Sequence, residues 1–593
     1  MKLIGKLILT LLLLVLLVVI VLYVLAQTQW GAKQITQWVN QRAEYQVSFK
    51  KMVHDWSSPG QITLQDISFS HKNQPVTLVA KNIVVGFSVR QITDPRHFSS
   101  LILEGGTLNL AQTGFTLPIE ADRLQLKNMA LQGQDGDWRL QGEQVTGGIT
   151  PWQPEQGALL GKKAAFQLSA QSLTLNDLPA SKVLVQGQFN GQQLMLENFG
   201  ADVARGELTG NASRAADGSW LVNTLRLSNV RLQTQQSITD FWQPVTHLPA
   251  VTINRFDLID ARIEGLNWAL TDLDVTLQNV TFRQNDWQSD DGSLSFNATD
   301  IVNGNMHFVD PIVSLDLSKQ GVNVKQFSTR WEGGLLRTSG NWLRSNHRLT
   351  LDELVVAGME YTLPGDWRQR WMQTLPDWLT EVEIKKFSAN HNLLIDITPE
   401  FPFQLTALDG SGNNLLLARN HQWGIWQGSL TLNASDATFN KVDVRRPSVA
   451  LSANDNQITL TDLSAFTKSG LLEAKAVISQ QPSRLFTLDL NGKAVAFDVL
   501  TRWGWPQPAT APAGNTNLQL HLNGRLDATS PLKPTLGGTL QGIDSNGRTF
   551  NQNMHQGSVN DTAPTAVTPT AAPEAASPVP LPEPAAATLP STL

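Results

Sequence analysis

The chain has 593 residues, enough for several domains, yet only 16 % of them are charged and the formal net charge is −6. That balance, with no basic run anywhere, argues against a nucleic-acid partner. There is no cysteine, which excludes disulfides, thiolate zinc sites and thiol nucleophiles but selects no compartment.

At the N-terminus, "MKLIGKLILTLLLLVLLVVIVLYVLAQTQW" places Lys2 and Lys6 before an apolar run over residues 7–26, broken only by Thr10 and Tyr23. As a helix this run spans roughly 30 Å, the thickness of a bilayer's hydrocarbon core. Tyr23 and Trp30 suit the far interface. "VLA" before Gln27 has cleavage-site spacing, but the apolar part of a signal peptide is usually only ~7–15 residues. The reading is therefore an uncleaved transmembrane anchor at 7–26, with residues 1–6 cytoplasmic and the rest of the chain across the membrane. A short helix follows near 32–42, with Ile35, Trp38 and Val39 on one side.

The long middle reads as strands. Asp-Gly and Asn-Gly pairs punctuate alternating runs such as "FQLSA", "VSLDL" and "LQLHL", the pattern of repeated hairpins and of an antiparallel meander. Three helical stretches interrupt it. They are "SITDFWQPVTHLP", "GDWRQRWMQTLPDW" with Trp367, Trp371 and Leu375 at helical spacing, and "AFDVLTRWGW" with Phe497, Leu500 and Trp503. Such faces read first as core packing, and second as a membrane-surface or lid element.

Many strands carry a hitch. In "VTINRFDL", Val251 and Ile253 alternate with polar residues, and so do Phe256 and Leu258, but with opposite parity. "ITLQDISF" (62–69), "LQLKNMAL" (124–131), "LRLSNVRL" (225–232), "VTLQNVTF" (275–282) and "LTLDELVV" (349–356) repeat the pattern. One inserted residue, a β-bulge, would return the second apolar pair to the first face and bend the strand. A very short turn between two strands is the alternative. On the bulge reading Val251, Ile253, Phe256 and Leu258 share a concave face with Val275, Leu277, Val280 and Phe282, while Thr252 and Asp257 face water.

A longer repeat lies over this one. "LMLENFGADVARGEL", "VNVKQFSTRWEGGLL" and "ITLTDLSAFTKSGLL" align without gaps on Gly206, Gly334 and Gly470, with a leucine two residues beyond each. One continuous repeat-built sheet is expected.

Catalytic motifs are missing. Histidines show no H-x-x-x-H spacing, and neither G-x-S-x-G nor a phosphate-binding loop occurs. "NDWQSDDG" gathers Asp286, Asp290 and Asp291, but its glycine comes a residue late for an EF-hand and an acidic turn fits better. No metal site and no cofactor is expected, and the chain is read as a non-enzyme. Paired carboxylates need not be close in sequence, which keeps an all-β glycan-active enzyme as an alternative. From residue 559 the chain is "VNDTAPTAVTPTAAPEAASPVPLPEPAAATLPSTL", a composition that reads as a disordered tail over 559–593.

The anchor, the helix after it and the hitched strands resemble the AsmA-like proteins of Gram-negative bacteria. "GADVARGELTGNASRAADGSWLVNTLRLSNVRL" resembles that family's glycine-containing strand pair and D-G-x-W turn. "AFDVLTRWGWPQPATAPAGNTNLQLHLNGRL" resembles its C-terminal helix, loop and strand. The resemblance covers about residues 1–555. It implies a mainly β fold, a long curved antiparallel groove of the bridge-like lipid-transfer type over 27–558, held in the inner membrane and facing the periplasm. It implies membrane phospholipid as the partner and a role in outer-membrane biogenesis. A scaffold for protein targeting to, or assembly in, the outer membrane is the alternative, with envelope proteins as partners.

Overall fold

The computed structural model describes residues 2–561 except 73, 110–118, 136–137, 155–159, 177, 244–249, 284–285, 482 and 527–530. The tail expected over 559–593 thus lies outside the described residues from 562 onward. Its first three residues belong to the last strand, Ser558–Asp561.

Helix α1, Lys2–Ala26, covers the whole apolar run, and α2 spans Gln29–Arg42. The elbow between them is built locally. Thr28 caps α2 by accepting the Gly31 N–H at 3.1 Å. A Cβ on Gly31 would stand 2.2 Å from the Leu25 carbonyl oxygen, so only glycine lets the chain turn this tightly. Taken over Thr10–Ala26 alone, the helix is too short to cross a membrane. The pair Thr10–Ala26 and Gln29–Arg42, bent by 88°, passes together on length and composition, consistent with a membrane anchor. From α2, Asn40 reaches the first edge strand, Tyr45–Ser48, and makes two hydrogen bonds to the Val47 backbone, at 2.8 and 3.0 Å. This occupies backbone groups that an edge strand would leave open.

The rest is mainly β. Among the described residues one sheet holds 35 strands, beside a two-stranded ribbon of His97–Phe98 and Glu120–Ala121. Strands pair in chain order from Gln61–His71 to Ser558–Asp561, nearly all antiparallel. Three joints depart from the expected meander. Ser100–Asn109 lies parallel to Leu124–Asp135, Trp220–Ser228 to Val251–Gly265, and Arg348–Ala357 to Glu381–Asp396. A parallel joint obliges the chain to return from one end of a strand to the start of the next. Two of these returns carry a short helix, α3 (Ile238–Trp242) and α4 (Trp367–Met372). A fifth helix, α5, is Asp498–Arg502.

The α4 return shows how a helix is laid along the sheet. Straight, the 16 residues of Glu381–Asp396 would span about 50 Å at ~3.3 Å each. Trp367 bonds Asp396 at one end of that strand, and Thr374 bridges Gln422, whose neighbour His421 donates its N–H to Thr380 at the other end. Residues 367–374, mostly helical, reach on the order of 20 Å. With the side chains and hydrogen bonds at its two ends the return covers most of that length, so α4 lies along the strand, over the apolar face of a curved sheet that forms a channel.

The hitches make the bend. At four of the six, the second hitch residue is left-handed: Asp66, Asn128, Asn229 and Asn279 have φ of 49°, 54°, 58° and 54°. Aspartate and asparagine tolerate that region best among non-glycine residues. Register shifts typical of a bulge occur between Leu196 and Phe199, Val324 and Phe327, and Leu460 and Leu463. "VTINRFDL" differs. Ile253 pairs Val280 and Phe256 pairs Leu277 with no shift, and the parallel neighbour keeps step with Val222 on Ile253 and Leu225 on Phe256. Here three adjacent strands hitch at one level, so the distortion is a crease across the sheet and no residue is left over against a straight partner. "LRLSNVRL" takes the turn-like alternative, with Asn229 between strands Trp220–Ser228 and Arg231–Gln233.

Gly206, Gly334 and Gly470 sit in equivalent hairpins. A Cβ there would lie 2.3 Å from Ser228 O, 2.4 Å from Met359 N and 2.2 Å from Lys493 O. The repeat thus marks where the backbone of the following strand crosses closest.

Candidate functional site

Two overlapping rows of uncharged residues run along the concave face. One row of laterally paired positions begins Met52, Leu64, Ile83, Leu103, Leu126, Gly147, Leu168, Val185, Phe199, Gly210, Leu225. It continues Phe256, Leu277, Leu294, Leu315, Val324, Gly340, Leu351, Ile384 and Leu415. A second row runs from Leu258 through Val275, Phe296, Val313 and Phe327 to Leu451, Leu460 and Leu488, and ends at Met554 and Val559. Thr338, paired with Phe327, gives that row a hydroxyl. Neither row contains a charge. At ~4.8 Å per strand the channel is on the order of 130 Å long.

Cross-strand ion pairs lie on the other face: Lys325 with Asp316 at 2.7 Å, Arg337 with Glu353 at 2.9 Å and Lys385 with Asp352 at 2.7 Å. Asp257 belongs here, but its side chain is only 16 % exposed, so it does not simply face water. The Arg255 guanidinium, 2.6 Å away, holds its carboxyl below the ordinary carboxylate range, helped by the Thr276 hydroxyl. Thr252 likewise meets Thr281, at 3.1 Å.

The eight residues expected to line the channel form four cross-strand pairs: Val251 with Phe282, Ile253 with Val280, Phe256 with Leu277, and Leu258 with Val275. Their accessibility differs. Val280 is fully buried and Val251 and Leu258 nearly so, whereas Ile253, Phe256, Val275, Leu277 and Phe282 are half-buried.

Along the channel, closed stretches alternate with more open ones, and the last of them is the closed cluster of Leu518, Leu520 and Leu540. In the N-terminal part the face is a dry core, with Leu103, Leu124, Met129, Ile149 and Trp152 at most 2 % exposed. Each large side chain buried there contributes ~1.5–3 kcal/mol. In the middle, Leu294, Leu315, Val324 and Leu351 are half-buried. Farther on, Leu408, Leu432, Val449, Leu463, Ala474 and Leu490 line a cavity of about 330 Å³ that Trp503 helps to enclose. The Trp503 indole N–H donates to Phe439 O at 3.0 Å, and Asn440 donates to Arg502 O, so the end of α5 is tied down at this rim.

The helices lie on the apolar side. Phe241 of α3 packs on Trp268 with ring centroids 5.3 Å apart, within the cluster of Leu258, Ala261 and Ile263. Beyond α4, Leu375 and Leu379 pack with Trp342, Leu349, Val382 and Ala418 of the concave face. Trp371 stacks on Trp423 at 5.5 Å. Their tryptophans were legible in the sequence. Their placement was not, because it follows from the parallel joints.

The acidic turn disperses its carboxylates. Asp286 pairs with Arg344, Asp290 with Lys319 at 2.9 Å, and Asp291 accepts from Asn279 at 3.3 Å. Among the described residues no group of three His, Asp or Glu side chains could hold a metal ion.

No family model matches the sequence. Over 570 residues, 96 % of this chain and the whole of the relative, the sequence is 48 % identical to "AsmA family protein YicH" of Escherichia coli strain K12.

Proposed function

The chain belongs to the AsmA family, and on that premise we propose that it shields or carries phospholipid along its channel, in support of outer-membrane biogenesis. In this reading α1 sits in the bacterial inner membrane with its N-terminus in the cytoplasm, and the sheet stands in the periplasm. The reading needs no catalytic group, metal or cofactor. Its partners are membrane phospholipid and, at the far end, proteins or lipid of the outer envelope.

The observation that supports it best is the uncharged row from Met52 to Leu415, overlapped by the row that ends at Val559. Moving a hydrocarbon group from apolar surroundings to water costs ~0.8 kcal/mol per CH₂. Two tails of about thirty such groups would cost on the order of 24 kcal/mol. An apolar floor without charged gaps removes most of that barrier at every step. A charge on it would restore a large part, because an unpaired carboxylate is costly beside hydrocarbon.

The test compares phospholipid retained by the gently purified full chain with that retained by Leu315→Asp, measured by mass spectrometry. The anchor's own lipid is common to both. The expected result is less lipid on the variant at equal thermal stability, and equal lipid on both would sink the proposal. The buried cores at the two ends favour a second reading for those parts, a packed scaffold for protein assembly at the outer membrane.

A further inference from the structure

The anchor and the sheet meet at one place. Tyr23, three residues before the end of α1, bonds His54 Nδ1 through its hydroxyl at 2.6 Å. Its ring lies 5.7 Å from that of Trp56, which in turn lies 5.5 Å from His54. Tyr23 is about 5 Å from the helix end along the axis. If α1 spans a bilayer, Tyr23 marks the interface and Trp56 stands at the same depth.

The turn that carries Trp56 continues into a second one. Phe87 N–H donates to Gly60 O at 2.8 Å, and the 3₁₀ turn Val89–Ile92 follows. Trp56, Val89 and Ile92 are 77 %, 82 % and 82 % exposed. In water such a group of large apolar side chains on one rim is unfavourable and marks a contact surface. α2 leaves the same elbow at 88° to α1, in the plane of the interface, with Trp30 and Trp38 exposed.

We propose that the turns at 55–60 and 87–92 dip into the bilayer that holds α1, so that the rim at the N-terminal end of the channel is pressed against the membrane surface. The occupant is lipid, because the Tyr23 contact sets Trp56 level with the end of the anchor, and the Phe87–Gly60 bond joins the turn that carries Val89 and Ile92 to the same rim. This rests on the anchor reading and is independent of whether the channel carries cargo. The contact turns a single-helix tether, free to swing, into a fixed mount. It places the first strands of the channel at the headgroup layer.

The chain's lack of cysteine makes the test direct. Single cysteines are introduced as Val15→Cys in α1, Val89→Cys, Ile92→Cys, and Leu178→Cys on the opposite rim, where Leu178 is also well exposed. Each is labelled with an environment-sensitive fluorophore in the full chain, reconstituted into vesicles of phosphatidylethanolamine and phosphatidylglycerol. Nitroxide-bearing lipids should quench labels at 15, 89 and 92 several-fold more than the label at 178, and aqueous iodide should show the reverse order. Quenching at 15 with 89 and 92 behaving like 178 overturns the second contact and leaves the anchor standing. Absence of lipid quenching at 15 overturns both.

Discussion

The indole N–H of Trp367 donates to the carboxylate of Asp396 at 3.1 Å, with that carboxylate at 1 % residue exposure and also held by the Thr398 N–H at 2.9 Å and hydroxyl at 2.7 Å. This pair ties the helix laid along the channel to the far end of the strand it precedes. Asp396→Ala would leave the Thr398 N–H and the indole without an acceptor, a loss of about 1–3 kcal/mol. Faster amide exchange across 366–372, with unchanged exchange in the strands around Leu103, is the expected result.

The same carboxyl gives a pH dependence with a definite sign. Burial pushes its pKa up, but the hydrogen bonds from Thr398 and Trp367, with Arg368 nearby, outweigh this and hold it below the ordinary value. Its contribution is fully present above the unfolded value of about 3.9 and is lost as pH falls through the lower folded value. Limited proteolysis at Arg368 and Arg370 should be unchanged from about pH 7 to about pH 5 and rise only in stronger acid. A rise already near neutrality would contradict it.

A photo-crosslinking residue at 256 should capture phospholipid in living cells and one at 257 should not, because Phe256 lies in the apolar row and Asp257 on the charged face. A probe at 277 should behave like 256. Protein-only adducts at 256 and 277 would keep the face assignment and replace the conduit with a packed scaffold.

Gly334→Ala places a Cβ 2.4 Å from Met359 N and 2.5 Å from Ala357 O. Backbone cannot yield as a flexible side chain does, and a loss of about 2–4 kcal/mol is expected in chemical denaturation. Gly365→Ala meets nothing within 4 Å and should stay within about 0.5 kcal/mol of the parent.

Much of this architecture could be read before any coordinates, because the alternation of apolar and polar residues is a strictly local signal. Phe256 and Leu258 announce their face through their own neighbours. The hitch signal was present too, in the lone Asp66, Asn128 and Asn279, which supply positive φ without a following glycine. The crease at Asn254 was not legible, because it depends on Val222 and Val280 keeping step in two other strands. Nor was the burial of Val280, since the sequence gives its face and not what covers it. The parallel joints escaped for a related reason. Trp220 meeting Val251 is a contact across thirty residues that no local pattern encodes.

The linear strand order has a kinetic consequence. Most strands pair with the one just before, so loops to be closed are short and the entropy of closing each is small. A chain delivered from its N-terminus can add strands to a growing edge, each finding its partner already laid down. Growth pauses at the three parallel joints, where a strand must wait for the return segment to cross back, as Glu381–Asp396 waits for α4. Those are the points at which an unfinished sheet exposes a bare edge longest.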